Sequence, residues 1–320
     1  MRPPRPLPPQ LGTAFSIADA RAVGVERGRL DGDDLMSPFR GVRARMPIIS
    51  ATDATARVDF EARVVEVRTL AHAYGTRMRP AEFFSHRTAA VLWGAPISIS
   101  LPVVLDVSVF APTGIPRGRG VCGHRAGART TMTMTNDGLR LASPASVWAS
   151  LGTMPVDDLV VLGDYFCREW RQGFLRPNVG LPPLTTRAKL EAALKAGRRV
   201  GAVRLREALV LIREDSWSPR ESLCRVILVK AGLPEPMLNV DVDGPLGFLA
   251  CVDMVYPQYR VAIEYQGQVH GTRYAKDVER IETLRAAGWI VIQVTSALLN
   301  RPQDFVNRVR DALESRGWSA

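Results

Sequence analysis

The stretch from Cys251 to His270, CVDMVYPQYRVAIEYQGQVH, constrains this chain more than any other. It reads as two strands joined by a tight turn at Pro257-Gln258, because both arms are rich in the β-branched and aromatic residues that strands favour. Side chains alternate along a strand, so Val261, Ile263 and Tyr265 share one face and Arg260, Ala262, Glu264 and Gln266 the other. A carboxylate in an apolar strand is costly to bury without a partner. This hairpin carries two, Asp253 and Glu264. A turn that pairs Tyr256 with Tyr259 sets Asp253 opposite Ala262 and diagonal to Glu264, roughly 7–8 Å apart by Cα. Two such carboxylates, the amide oxygen of Gln266 and the following His270 make a set able to hold a hard divalent cation beside a general acid or base.

Asp253 followed, after ten intervening residues, by Glu264-x-Gln266 resembles the D…(D/E)-x-K hairpin of the PD-(D/E)XK nuclease superfamily. His270, Asp277-x-x-Arg280, Leu284 and Gly288-Trp289 narrow the resemblance to the domain of unknown function related to very-short-patch-repair endonucleases. Ser218-Pro219-Arg220-Glu221 and Gly232-Leu233-Pro234-x-Pro236 upstream fit the same family. The resemblance covers about a third of the chain. It implies a restriction-endonuclease-like α/β domain acting as a Mg²⁺- or Mn²⁺-dependent endodeoxyribonuclease. Asp253 and Glu264 would ligate the metal, Gln266 would add an oxygen and Glu221 would enter as a further acid. His270 would handle the proton of the attacking water or of the leaving oxygen. Relatives usually carry Asp where this chain has Gln266, so the site has one charge fewer.

Each of these residues also has a purely structural reading. Glu221 stands three residues after Ser218, as in a capping box. Glu264 can pair with Arg260 or Arg225, His270 can cap a helix or sit in a loop, and Asp277 can cap its helix. Arg280 can bind a phosphate or bridge to Glu221, and the bridge is favoured.

Charge points to a polyanionic partner. The net charge is +10, and the 103 residues from Ser218 onward hold twelve of the 42 basic and twelve of the 32 acidic residues. The whole excess therefore precedes the nuclease-like part. Only four of the basic residues are lysines, which is also what a GC-rich bacterial genome would produce. No run of about 18 apolar residues is present, so no membrane span is expected. The four cysteines are widely separated with no CxxC pair, so zinc fingers are not expected and a reducing cytoplasm fits.

The leader MRPPRPLPPQ, residues 1–10, reads as flexible or polyproline. In residues 11–46, Ser16 and Asp19 can cap a short helix, Gly24-Val25 breaks it, and Glu26 to Leu30 begins a second. Leu35 to Ala44 reads as a β-wing. The spacing Ala20-x-x-x-Gly24-Val25 is that of a helix-turn-helix, and the segment resembles the N-terminal winged helix of AbiE-type antitoxins. Arg21, Arg27, Arg29, Arg40 and Arg43 would then contact DNA, with Arg280 in the last domain. The alternative is a helical hairpin packed on the middle domain.

Residues 47–215 read as a mixed α/β middle domain. Helices are expected from Val58 to Tyr74, from Phe83 to Gly94, after Ser143-Pro144 and from Val156 to Trp170, with helical chain on to Arg206 interrupted by a Pro-rich break at Pro182-Pro183. Strands are expected over Val103–Phe110, Gly118–His124 and Thr130–Thr135, with Arg117, Arg119, Arg125 and Arg129 between them. His86, at a helix start with no visible partner, reads as structural. Residues 216–320 form the endonuclease-like domain, in the order helix, hairpin, helix, strand, helix. The expected whole is an α/β (α+β overall) bacterial protein, cytoplasmic and nucleoid-associated, with duplex DNA as partner and a homodimer left open. A non-catalytic regulator or antitoxin with a degenerate nuclease domain is the alternative.

Overall fold

A computed structural model describes residues 4–46, 56–135, 137–173, 176, 178–244, 247–266 and 274–319. Packing divides the chain into two units, residues 1–154 with 188–205, and residues 155–187 with 206–320. The protein is α+β, with three sheets interleaved with helices.

The first unit opens with β1 (Ala14–Ser16) and α1 (Ile17–Ala22). The Ser16 side chain accepts the Asp19 N–H, and the Asp19 carboxylate accepts the Ser16 N–H, so the capping box forms as its residues dictate. Gly24, at φ 79°, makes the turn. A 3₁₀ helix, Arg27–Asp31, stands where a second α-helix was expected. The stretch expected as a wing forms β2 (Leu35–Met36) and β3 (Val42–Arg45), giving a sheet ordered β1-β3-β2. Residues 4–10 do not behave as a leader: Leu7 is 6 % exposed and packs with Leu11, Phe15 and Ala20. Burying that leucine outweighs the proline-rich composition around it.

The same unit continues through α2 (Ala56–Gly75), β4 (Glu82–Phe84), α3 (His86–Leu92), β5 (Leu105–Val109), β6 (Val121–Arg125), β7 (Met132–Met134), β8 (Arg140–Ala142) and α4 (Pro144–Ser150). The five strands form one sheet, β6-β5-β4-β8-β7, in which β5 runs parallel to β6 and β4 parallel to β8. Strand β4 takes the start of the segment expected to be helical, and its Phe83 and Phe84 are fully buried. Ser143 caps α4, with Pro144 as its first residue.

The chain then forms α5 (Val156–Cys167), α6 (Arg187–Lys195), α7 (Ala202–Leu211), α8 (Pro219–Lys230), β9 (Met237–Gly244), β10 (Gly247–Tyr256), β11 (Val261–Tyr265), α9 (Tyr274–Ala286), β12 (Ile290–Val294), α10 (Ser296–Leu299) and α11 (Pro302–Glu314). Helix α5 ends at Cys167 rather than Trp170. No helix is formed among the described residues from Arg168 to Thr186, a stretch holding Pro182-Pro183.

The second unit is built on a sheet ordered β12-β11-β10-β9. Strands β9, β10 and β11 form an antiparallel meander, and α9 crosses over to β12, which is parallel to β11. Strand β9, not foreseen from sequence, carries the alternation Val240-Asp241-Val242-Asp243. Met254, Tyr256, Val261 and Ile263 bury one face in a cluster with Cys224 and Leu228 of α8 and Phe305 of α11. Val255 and Ala262 meet Leu284 of α9 in another cluster.

The hairpin turn is longer than Pro257-Gln258. Pro257–Tyr259 makes a 3₁₀ turn and Arg260 adopts φ 48°, so Tyr256 pairs with Val261 and not with Tyr259. The register is thereby shifted by two residues.

Candidate active site

Asp253 stands on β10 one residue before Met254, which pairs with Ile263. Continuing that antiparallel register brings Asp253 level with Glu264, directly across the ladder rather than diagonal to it. Side chains in such a pair lie on the same face with Cβ atoms about 4.5–5.5 Å apart. Asp253 Oδ2 accepts the backbone N–H of Tyr265 at 2.8 Å. Burial, then the carboxylates of Glu264 and Glu221, push the pKa of Asp253 well above the usual carboxylate range. The Tyr265 N–H and the charge of Arg280 pull the other way.

Glu264 is 2 % exposed, and its partner is Arg280 of α9. Arg280 Nη1 lies 3.0 Å from Glu264 Oε1 and also donates to the Cys251 carbonyl at 3.1 Å. This corrects three expectations. Arg280 bridges to Glu264 and not to Glu221. Arg260, at φ 48°, is exposed and makes no side-chain hydrogen bond or ion pair among the described residues. Arg225 is committed elsewhere, to Asp164 at 3.0 Å and Glu235 at 2.9 Å.

Glu221 lies in the first turn of α8, where its N–H donates to the Ser218 hydroxyl at 3.2 Å. Its carboxylate does not complete the capping box. Oε2 accepts the Trp217 N–H at 3.0 Å and Asn239 Nδ2 at 2.8 Å. Asn239, at φ 48° on β9, also donates to the Asp215 carbonyl at 2.7 Å. No motif marked Asn239. Its role comes from a chain reversal that brings α8 and β9 together.

Gln266 follows β11 directly, donates its backbone N–H to Val294 at 2.8 Å, and is half-buried. His270 lies outside the described residues, as does the side chain of Asp277. The backbone at Asp277 is inside α9, so it does not cap that helix. The hairpin thus brings Asp253, Glu264 and Arg280 together, with the charge of Glu221 felt at Asp253. Among the described residues, these three carboxylates do not form a group whose ligand atoms all lie within 4.8 Å; His86, Asp106 and His124 do.

The arginines of the N-terminal segment divide in two. Arg29 grips Asp34 with two bonds of 2.8 and 2.6 Å. Arg43 donates to the Leu30 carbonyl, the Ser37 hydroxyl and the Asp31 carboxylate. Both tie the segment to itself. Arg21, Arg27 and Arg40 are exposed.

Phe39 of the wing is 7 % exposed and meets Tyr74 of α2 edge-on, ring centroids 5.4 Å apart. Beside this contact lies a cleft of about 660 Å³ whose rim holds Arg40, Arg77, Arg117 and Arg119. All four are exposed, and none makes a side-chain hydrogen bond or ion pair among the described residues, although the Arg77 guanidinium lies over the Tyr74 ring, 6.0 Å from its centroid. Arg40 and the Arg117–Arg119 pair are far apart in the sequence; packing of Phe39 on Tyr74 of α2 joins them at one cleft.

No protein-family model matches the chain. It is similar to two proteins of Mycobacterium tuberculosis, "Uncharacterized protein MT2308" of strain CDC 1551 / Oshkosh and "Uncharacterized protein Rv2248" of strain ATCC 25618 / H37Rv. Each is 31 % identical over 113 residues, which is 34 % of this chain and 41 % of the relative. The chain therefore spans about two fifths of the length of these relatives. No helix among the described residues is long and apolar enough to cross a membrane.

Proposed function

We propose that this chain is a DNA-binding protein whose second unit hydrolyses phosphodiester bonds with a hard divalent cation, Mg²⁺ or Mn²⁺, acting on nucleoid DNA in a bacterial cytoplasm. The observation that carries this reading is the placement of Asp253 level with Glu264 on adjacent strands. With β9 added before the hairpin, helix α8, the β10–β11 hairpin, helix α9, strand β12 and helix α11 follow the element order implied by the resemblance to the nuclease superfamily.

The residues fit such a cation. Asp253 has one oxygen held by the Tyr265 N–H, and its charge is opposed by two carboxylates and balanced only in part by Arg280. A pair of oxygen donors whose charge is only partly compensated is the chemistry that hard divalent ions select. Asp253 and Glu264 would hold the ion, and Gln266 would add a neutral oxygen. A bound cation offsets charge on the scissile phosphate and lowers the pKa of a coordinated water. Arg280 keeps the Glu264 carboxylate oriented. Glu221 is itself fixed by the Trp217 N–H and Asn239, so its role is to add negative charge around Asp253 rather than to move a proton. The four-arginine cleft in the first unit supports DNA as the partner, since guanidiniums not committed to carboxylates are suited to phosphates.

The Arg280–Glu264 ion pair also favours a second reading. With Glu264 already neutralised and Gln266 uncharged, the domain would be a degenerate nuclease serving a regulator or antitoxin. Cleavage of supercoiled plasmid with Mg²⁺ or Mn²⁺ separates the two. Metal-dependent nicking that is lost in a folded Asp253→Asn variant supports the enzyme. Binding without cleavage by wild type under either metal supports the regulator.

A further inference from the structure

Only four histidines occur in the chain, and two of them, His86 and His124, come together in the first unit. His86 opens α3, one residue (Ser85) after the end of β4. His124 sits on β6, and Asp106 lies on β5 between them. The two imidazoles stack with centroids 3.9 Å apart, and His124 Nε2 is 2.8 Å from Asp106 Oδ1. One ligand atom from each of the three residues lies within 4.8 Å of the other two. Donors around a tetrahedral ion sit about 2.0–2.2 Å from it, so binding requires the two imidazoles to rotate out of their stack and turn their nitrogens toward a common point.

The surroundings are those of a held ligand set. His86 Nδ1 is 2.9 Å from Ser85 Oγ, which in turn accepts a hydrogen bond from Ser108 Oγ at 2.8 Å. Ser85 and Ser108 are buried. On the other side, Asp106 Oδ2 accepts the Thr88 N–H at 3.4 Å, and the Asp106 N–H donates to Thr88 Oγ1 at 2.8 Å. Metal-binding histidines and carboxylates are oriented by such outer partners. His86 also has φ 46°, a conformation that side chains other than glycine's rarely adopt. It persists here because β4 and α3 fix the backbone on both sides, and strain of this kind concentrates at functional positions. The side chains of Asp106 and His124 are 17 % and 26 % exposed, so solvent reaches the cluster.

We propose that His86, Asp106 and His124 form a binding site for a divalent transition ion of the zinc class, separate from the carboxylate pair at Asp253. Two imidazoles and one carboxylate favour zinc, cobalt, nickel or copper over magnesium or calcium. For His124 to ligate through Nε2, its ring proton sits on Nδ1, and the Nε2 contact to Asp106 gives way to coordination of both groups to the ion. Three protein ligands leave a coordination position open for water or a substrate, as in zinc sites that carry out chemistry. Nothing in the proposed nuclease reaction requires this site, so the two ideas stand or fall independently.

The test is titration of the full chain, free of any affinity tag and stripped with a chelator, with Co²⁺ followed by Zn²⁺. The expected result is a visible cobalt ligand-field band that saturates at one equivalent and is quenched by Zn²⁺. The band should persist in Asp253→Asn and disappear in His86→Ala and in His124→Ala. Wild type that shows neither the cobalt band nor heat on zinc titration overturns the proposal. So does a band that survives both histidine substitutions or vanishes in Asp253→Asn. Should the histidine variants not fold, Cu²⁺ bound to wild type decides the matter. Hyperfine coupling to two imidazole nitrogens in its electron paramagnetic resonance spectrum is expected, and all-oxygen coordination overturns the site.

Discussion

The guanidinium of Arg225 on α8 lies 3.0 Å from the carboxylate of Asp164 on α5, 61 residues earlier, with neither side chain more than 1 % exposed. Arg225 also donates to the Leu211 carbonyl and to Glu235, and Asp164 accepts the Arg213 N–H at 2.7 Å. Breaking a buried pair from one side leaves a charge without compensation. Arg225→Ala should therefore destabilise the second unit by about 3–5 kcal/mol, whereas Asp164→Leu with Arg225→Met should cost much less. Urea unfolding of the single and double variants measures both. A fragment beginning at Ser218 lacks Asp164, so the same argument predicts that it folds poorly, and comparisons of DNA binding should use the whole chain.

Asp253 holds its proton to a higher pH when folded than when unfolded, because burial and two carboxylates oppose its charge. Over the interval between the two pKa values the folded state binds more protons, so stability falls as pH rises through the usual carboxylate range toward the raised value. Asp253→Asn should flatten that fall. In chelator at neutral pH the variant should melt above wild type, and saturating Mn²⁺ should raise the melting temperature of wild type alone. A variant that melts below wild type in chelator contradicts this account of the charge.

Gln266 offers a neutral oxygen where relatives usually carry Asp, and Mg²⁺ gives up its waters reluctantly. Wild type should therefore bind Mn²⁺ in preference to Mg²⁺. Gln266→Asp should tighten both if the shorter side chain reaches the ion. Calorimetric titration of the two proteins, with Glu264→Ala as control, checks the order. Heat in Gln266→Asp but none in wild type would favour the regulator.

The cleft of Arg40, Arg77, Arg117 and Arg119 should supply phosphate contacts. Each contact adds about 0.9 to the magnitude of the log–log salt slope of duplex binding. Arg117→Ala with Arg119→Ala should flatten the slope by up to about 1.8, whereas Arg29→Ala, which breaks the Asp34 clamp, should act through stability. Unchanged slopes in the double variant would move the DNA surface elsewhere.

Local chemistry was enough to read much of this protein. Ser16 and Asp19 make their capping box, Ser143-Pro144 opens α4, and the apolar runs on either side of Pro257 form strands, because these outcomes depend on neighbours within a few residues. The two carboxylates were legible for the same reason: a charge in a β-branched run stands out wherever the strand goes. What sequence could not supply was contact between distant segments. The turn at Arg260 shifted the register by two and set Asp253 across from Glu264. The α9 crossover chose Arg280 over Arg260 and Arg225 as partner of Glu264. Asp164 met Arg225, the wing carried Arg40 to Arg117, and two histidines 38 positions apart met Asp106 only because β4, β5 and β6 lie side by side. Near neighbours decide capping boxes and the strands of this hairpin, but a side chain's charge partner is decided by which element the fold places next to it.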